Sequence, residues 1–340
     1  MTANLSNNTT MKAWNAVTTT KIICVPFLLI TFLFGLVINT LYLWILCFRM
    51  RRTFTITWFS HLILCNVIFI LIIPFMAVMF WFQPHWVLGE FLCKFINFLL
   101  SFSMYAAVFF LTAISIDRYW LVFHPHYYRK TMHTRQSSII CLFLWSLALL
   151  CGSPYLAFRR VHQEKNISIC YNDYTLTGKP NIEYEAKVKW AMLSLRLLAG
   201  YFIPLVTMTI CYLKIAFKIK KEKFTKSKKP YKIISIAIVS FFISWTPYHM
   251  FYGMSIEKGF FRDTTLQAMM VIAVVLTCLN ACFTPILYLF FVENFKTNLK
   301  KSLLSMFQAT LHEAFLRNTD YKSEPNSASI RKGESQEHPI

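Results

Sequence analysis

Five stretches of this chain run for more than about 20 residues, the length that crosses a bilayer, without a Lys, Arg, Asp or Glu. They are Ile22 to Phe48, Thr53 to Gly89, Ser137 to Phe158, Ile233 to Ile256 and Thr264 to Val292. In helical form each spans a hydrocarbon core of roughly 30 Å, and Thr53 to Gly89 is longer than one crossing needs. Two further runs qualify once an ionisable residue is admitted: Phe95 to Ile116, which leads into Asp117-Arg118, and Trp190 to Leu213, which contains Arg196. Seven crossings are predicted. Lipid as the main solvent also accounts for 56% hydrophobic and 15% charged residues, where soluble domains carry about a quarter charged. That composition argues against a soluble enzyme.

The net charge of +20 lies between the apolar runs. Arg49, Arg51 and Arg52 follow span one; Arg129, Lys130 and Arg135 follow span three; nine Lys lie from Lys214 to Lys232. Basic residues favour the cytoplasmic side of a membrane. With these loops inside, 22 Lys and Arg are inner, 10 are outer, and Lys94, Arg118 and Arg196 lie at or within spans. The amino terminus is then outside and the carboxyl terminus inside, as in a multi-pass plasma-membrane protein. Orientation and anionic inner-leaflet lipid account for the Lys run, so no nucleic-acid partner is expected. About twenty mostly polar residues precede span one, and no small-residue cleavage site follows it, so it reads as a retained helix and not a signal peptide. Glycosylation sequons at Asn4, Asn7, Asn8 and Asn166 all fall on the outer side.

The expected organisation is an all-α membrane protein, a seven-transmembrane helix bundle with a short amphipathic eighth helix. Residues 1–20 form a glycosylated outer tail and 21–292 the bundle. Over 293–307, Phe295, Leu299, Leu303 and Phe307 recur every four residues among Lys296, Lys300 and Lys301, a helix lying on the inner surface. Residues 308–340 form a polar, disordered cytoplasmic tail. Eight of the ten cysteines fall inside spans and read as reduced core residues. Cys93 and Cys170 both face the oxidising side, and a disulfide between them is the economical assignment, with Cys24 near enough to the same surface to compete.

From Cys93 to Arg118 a helix rises about 37 Å at 1.5 Å per residue, so span three crosses the whole bilayer and ends in Asp117-Arg118-Tyr119-Trp120. Here the chain resembles a rhodopsin-like G-protein-coupled receptor. Other marks recur in order: Gly35 to Asn39 in helix one, Trp86 to Gly89 in the first outer loop, Trp145 and Pro154 in helix four, and Pro204 and Tyr212 in helix five. Phe241-Phe-Ile-Ser-Trp245-Thr-Pro247-Tyr248-His249 resembles the helix-six switch, and Thr284-Pro285-Ile-Leu-Tyr288 the helix-seven motif. The resemblance covers about residues 20 to 307. It implies that Asp117 restrains Arg118 until activation, that Trp245 is a rotamer switch under the ligand pocket, that Pro247 is the hinge of helix six, and that Tyr212 and Tyr288 support the open state. Simple snorkelling of Arg118 and an ordinary membrane proline are the plainer alternatives.

Arg196 is the most informative residue. A cation within a span costs about 2.5–3.5 kcal/mol on insertion scales, so it should face the bundle interior and meet an anion. No Asp or Glu lies at comparable depth in another span, which leaves a ligand carboxylate that guanidinium binds as a fork. A structural Arg bonded to backbone carbonyls is the alternative. Receptors for chemoattractants, the formyl-peptide and complement-peptide type, resemble the chain here and also at Arg159, which by position alone is an interface anchor. Asn97, Ser101, Met104, Tyr248, His249 and Met270 are the other candidate lining residues, each equally at home in a core.

Leu100 stands where amine receptors carry Asp, span seven has no Lys for retinal, and Val274 replaces the Glu of many chemokine receptors. The family's sodium-holding helix-two Asp is replaced by Asn66, Ala107 replaces a Ser, and Thr284 replaces an Asn or Asp, leaving Asn280. Without a carboxylate no sodium site is expected, and basal activity should be altered. The resulting reading is a plasma-membrane receptor for an acidic chemoattractant-type peptide or lipid acid, signalling through a heterotrimeric G protein, by resemblance the inhibitory class. Tail hydroxyls from Ser302 to Ser335 would capture arrestin after phosphorylation. A binding-only scavenger is the alternative, and a transporter would need repeats that are absent. No cofactor, metal or enzymatic activity is expected: no metal-ligand His pair or nucleophile–base pair is visible.

Overall fold

A computed structural model describes residues 2–50, 53–131, 134–164, 166–175, 182–221, 229–256 and 260–288. The expected eighth helix over 293–307 and the tail over 308–340 lie outside them. Among the described residues seven helices are long and apolar enough to cross a membrane: Lys21–Arg49, Phe54–Phe82, Gly89–Phe123, Gln136–Phe158, Ile182–Lys221, Tyr231–Met254 and Asp263–Ile286, here spans one to seven.

The helix bearing span one begins at Thr2 and runs to Trp44 before a π-turn over Ile45–Arg49, so the backbone of the expected outer tail continues the first helix. Span two starts where Thr53 caps it, its hydroxyl accepting from the Ile56 amide at 3.2 Å. It stops at Phe82, short of the apolar run's end, and Pro84 lies just beyond. Span five is interrupted by a π-turn, Leu198–Phe202, immediately after Arg196 and before Pro204. Such turns interrupt the regular backbone ladder and gather at functional sites.

Polarity is distributed inside-out. Val37 is 66% and Leu142 70% exposed, whereas Asn39 and Arg196 are fully buried. Apolar faces turned outward and polar side chains turned inward suit a bundle bathed in lipid. Span three is the central post, with buried residues along its length from Cys93 to Val122, and packs against spans two, four and five. Span one packs on two and seven, and six packs on seven. Asn39 joins the first of these contacts, donating from Nδ2 to the Gly35 and Ala281 carbonyls at 2.9 and 3.1 Å.

Between spans four and five stands a hairpin, β1 (Arg159–Glu164) and β2 (Ile167–Asn172), antiparallel with Glu164 opposite Ile167. Asn166 takes the left-handed conformation, φ 67°, that this two-residue turn requires. Cys93 at the top of span three is joined to Cys170 of β2, and Cys24 is a free buried thiol. A second tie comes from the loop after span two: the Trp86 amide donates to the Ser168 carbonyl at 2.7 Å, and the Ser168 amide to His85 Nδ1 at 3.0 Å. The hairpin is therefore fixed over one end of the bundle.

Gly152 lets span four pack tightly on span three at Phe102. A Cβ there would lie 3.3 Å from the Phe102 Cα and backbone nitrogen, which cannot yield as a flexible side chain does. Gly152→Ala should lower stability by about 1–3 kcal/mol through overpacking. Gly253→Ala, where a Cβ meets nothing within 4 Å, should be neutral or slightly stabilising. Thermal unfolding of the two purified variants checks this, and equal unfolding temperatures would refute it.

Candidate functional site

Near the hairpin end, Arg196 is fully buried in a cage of tyrosines. Its guanidinium carbon lies 4.2 Å from the Tyr252 ring centroid, 4.6 Å from Tyr248 and 5.6 Å from Tyr155. Nη1 donates to the Tyr155 hydroxyl. Among the described residues, Nε and Nη2 have no hydrogen-bond partner and no carboxylate pairs with the cation. The rings offer cation–π attraction, worth about 2 kcal/mol or more when desolvated, but no countercharge. Two donors of a permanently charged group remain unmet inside the bundle.

Arg159, the first residue of β1, shares this neighbourhood. Burial pulls its pKa below the ordinary Arg value, and the surrounding tyrosines Tyr155, Tyr252, Tyr248 and Tyr174 oppose that shift. Its Nε also lacks a partner among the described residues. Tyr174, from the segment after β2, reaches the Tyr252 hydroxyl at 3.5 Å. Two guanidinium groups thus face one set of phenols, with Tyr105 buried within electrostatic reach of Arg196.

The other sequence candidates divide. Tyr248 belongs to the cage. Met104 and Tyr105 lie beneath Gly200 of the π-turn, where a Cβ would come within 3.3 Å of the Met104 methyl and 3.2 Å of the Tyr105 ring. His249 meets Gly200 from span six and packs on Tyr201 with ring centroids 5.1 Å apart. Asn97 donates to the Cys93 carbonyl at 2.7 Å and faces the Cys170 sulfur, so its amide is engaged at the disulfide. Ser101 is buried on span three and Met270 half-buried on span seven, with no contact to the cage among those described. Sequence reasoning missed Tyr155, Tyr174 and Tyr252. Tyr252 follows Tyr248 by one helical turn, a spacing that places both on one face and could have found it.

At the opposite end, Asp117 and Arg118 are buried together. Arg118 Nε lies 3.5 Å from Asp117 Oδ2, and Nη2 donates to the Thr55 hydroxyl at 2.6 Å. Tyr128, on a short helix Pro125–Thr131, donates to Asp117 Oδ1 at 2.6 Å. This bond with a carboxylate pushes the Tyr128 pKa up, after burial as the main cause. Tyr119 stacks on Phe123 at 4.5 Å, and Lys214 and Lys218 of span five lie over these two rings.

Between the two ends, Trp245 packs against Phe69, Phe241 and Tyr248, with Tyr248 at 5.4 Å linking it to the Arg196 cage. Pro247 lies inside span six and Pro285 inside span seven. Tyr212 is half-buried on span five, and the side chain of Tyr288 lies outside the described residues. In place of an acidic centre, Asn280 Oδ1 accepts from Ser240 at 3.3 Å, and the Asn66 Nδ2 is buried with no partner among the described residues.

Comparison with known proteins agrees with this arrangement. The sequence model of the 7 transmembrane receptor (rhodopsin family) matches residues 38–288. "Probable G-protein coupled receptor 33" of Rattus rattus is 40% identical over 299 residues, 86% of this chain and 87% of the relative. The human protein of the same name is 38% identical over 298 residues, covering 86% and 89%. Human "Chemerin-like receptor 2" is 32% identical over 286 residues, covering 84% and 80%. With seven membrane-length helices and a family match over most of its length, this chain belongs to the rhodopsin family of seven-transmembrane receptors, a class of G-protein-coupled receptors.

Proposed function

We propose that the protein is a receptor for an acidic chemoattractant, a peptide or lipid acid whose carboxylate docks on Arg196. The observation that carries this reading is the fully buried Arg196, two of whose donors have no partner and which no carboxylate side chain pairs with among the described residues. A carboxylate accepts both donors as a fork and supplies the missing countercharge. At zero exposure the guanidinium is covered, so binding requires the tyrosines to part and the Tyr155 hydroxyl to yield its bond. Arg159 supplies a second positive point on the approach.

In this reading the hairpin end faces outward with Asn4, Asn7, Asn8 and Asn166 glycosylated, and the Asp117–Arg118 end meets a heterotrimeric G protein of the inhibitory class. Arrestin follows tail phosphorylation. Movement of Tyr248, next to the hinge at Pro247, is relayed through Trp245 to Phe241 on the other side of that hinge, since the rings touch in this order. The test is nucleotide exchange on inhibitory G protein in membranes from expressing cells, challenged with a panel of acidic peptides and lipid acids. Each active compound is then retested with its carboxylate converted to an amide or methyl ester. Exchange that depends on the free acid is expected. Uptake of an acid without exchange identifies a scavenger, and agonists indifferent to the conversion refute the carboxylate reading.

A further inference from the structure

A groove of about 450 Å³ lies between spans five and six, and neither Arg196 nor its tyrosines Tyr155, Tyr248 and Tyr252 line it. Phe202 and Met250, 48% and 52% exposed, lie at its margin, so it opens on the bilayer-facing surface of the bundle. Met254 and Phe261 continue the apolar wall toward the hairpin end. Thr246 and Met254 mark its ends on span six, eight residues or about 12 Å of helix apart at 1.5 Å per residue.

Its polar groups are unequal. The Tyr201 and Thr246 hydroxyls meet at 2.9 Å, and Thr246 donates onward to the Phe242 carbonyl at 2.6 Å, so both are satisfied. His249, 5% exposed, forms part of the wall; its Nδ1 is covered and has no hydrogen-bond partner among the described residues, so an occupant of the groove pairs with it only once the ring turns. A buried polar atom left unpaired costs about 1–3 kcal/mol. Hydrocarbon chains of bulk lipid would fill the groove and leave that cost in place. Gly253 contributes open space: a Cβ there meets nothing within 4 Å.

We propose that this groove is a second binding site, for a single-chain membrane amphiphile whose head group carries a hydroxyl. The tail lies between spans five and six against Met250, Met254 and Phe202, and the hydroxyl pairs with His249. A hydroxyl both donates and accepts, so it satisfies an imidazole nitrogen in either tautomer; a carboxylate only accepts and suits the protonated nitrogen alone. An occupant here rests against span six on both sides of Pro247 and braces the segment that the hinge moves. The site is independent of the carboxylate reading, since it uses neither unmet donor of Arg196.

The full-length receptor is reconstituted in phosphatidylcholine nanodiscs with a trace of diazirine-tailed monoacylglycerol, irradiated, and its adducts mapped by mass spectrometry. Adducts concentrated at Phe202, Met250 and Met254 are expected, reduced several-fold in Gly253→Phe, which fills the groove, and in His249→Leu. Excess unlabelled monoacylglycerol should compete on the unaltered receptor, where no folding defect can intervene, and an ester with the same tail but no hydroxyl should not. Adducts spread evenly over the lipid-facing spans, or competition by the hydroxyl-free ester, overturn the proposal. Stronger labelling by the fatty-acid probe of equal length overturns the hydroxyl assignment.

Discussion

Arg196→Met is expected to move two measurements in opposite directions, weakening acidic agonists severely while raising the unfolding temperature of the empty receptor. Truncating one partner of a buried, hydrogen-bonded charge pair costs roughly 2–5 kcal/mol. At 1.4 kcal/mol per decade this is about 30-fold to a few thousand-fold in affinity. The stability gain has a separate cause. Without ligand, Arg196 is fully buried, bonded to one phenol and flanked by rings that carry no countercharge. Replacing such a cation by an apolar side chain of similar length removes its desolvation cost and retains the packing. A structural Arg behaves otherwise, because its loss would orphan the groups it holds and lower stability. The checks are thermal unfolding of purified receptor and agonist titration at matched surface expression, using acids found active in the exchange assay. A lower unfolding temperature, or unchanged agonist potency, would sink the assignment of Arg196 as a ligand anchor.

The seven helices and the two charged centres were legible in the sequence because lipid imposes strict costs. A charge-free run of bilayer length has few alternative structures, and a lone Arg within one must turn inward. Of the tyrosines around Arg196, Tyr248 was legible and Tyr252, one helical turn on, carried a usable spacing; Tyr155 was not, since only the folded bundle brings spans four, five and six onto one guanidinium. The hairpin was missed for another reason. Its strands are six residues each, and the pairing that stabilises them is with each other and with the loop after span two through His85, Trp86 and Ser168, contacts with no local signature. At span two the charge-free run outlasts the helix because the loop beyond Phe82 is also free of charge, and composition alone does not reveal where a helix ends. Tyr128 escaped notice as one aromatic among several in a basic loop. Its position on the Pro125–Thr131 helix makes it a partner of Asp117.

That partnership gives the second large effect, at the other end of the receptor. Asp117→Asn should raise basal nucleotide exchange by about 10-fold or more. The carboxylate lies 3.5 Å from Arg118 and accepts from Tyr128 at 2.6 Å, so an amide keeps the shape and loses the charge that restrains the guanidinium. Hydrogen bonds to charged groups contribute about 1.5–3 kcal/mol, and a bias of that size shifts a two-state equilibrium by roughly 10- to 150-fold. Tyr128→Phe removes one bond to the same carboxylate and leaves its charge, so its increase should be smaller. Arg118→Ala should bring exchange to background, because the guanidinium that Asp117 restrains is also the group the G protein would engage. The double variant Asp117→Asn/Arg118→Ala separates release from damage: if Asp117 acts by holding Arg118, it must match Arg118→Ala alone. Nucleotide-exchange assays at equal surface expression decide the series. Basal exchange in Asp117→Asn no higher than in the unaltered receptor would show that this buried pair supports the fold and does not gate the switch. The order Arg118→Ala, unaltered, Tyr128→Phe, Asp117→Asn, from lowest to highest, is the outcome the geometry requires.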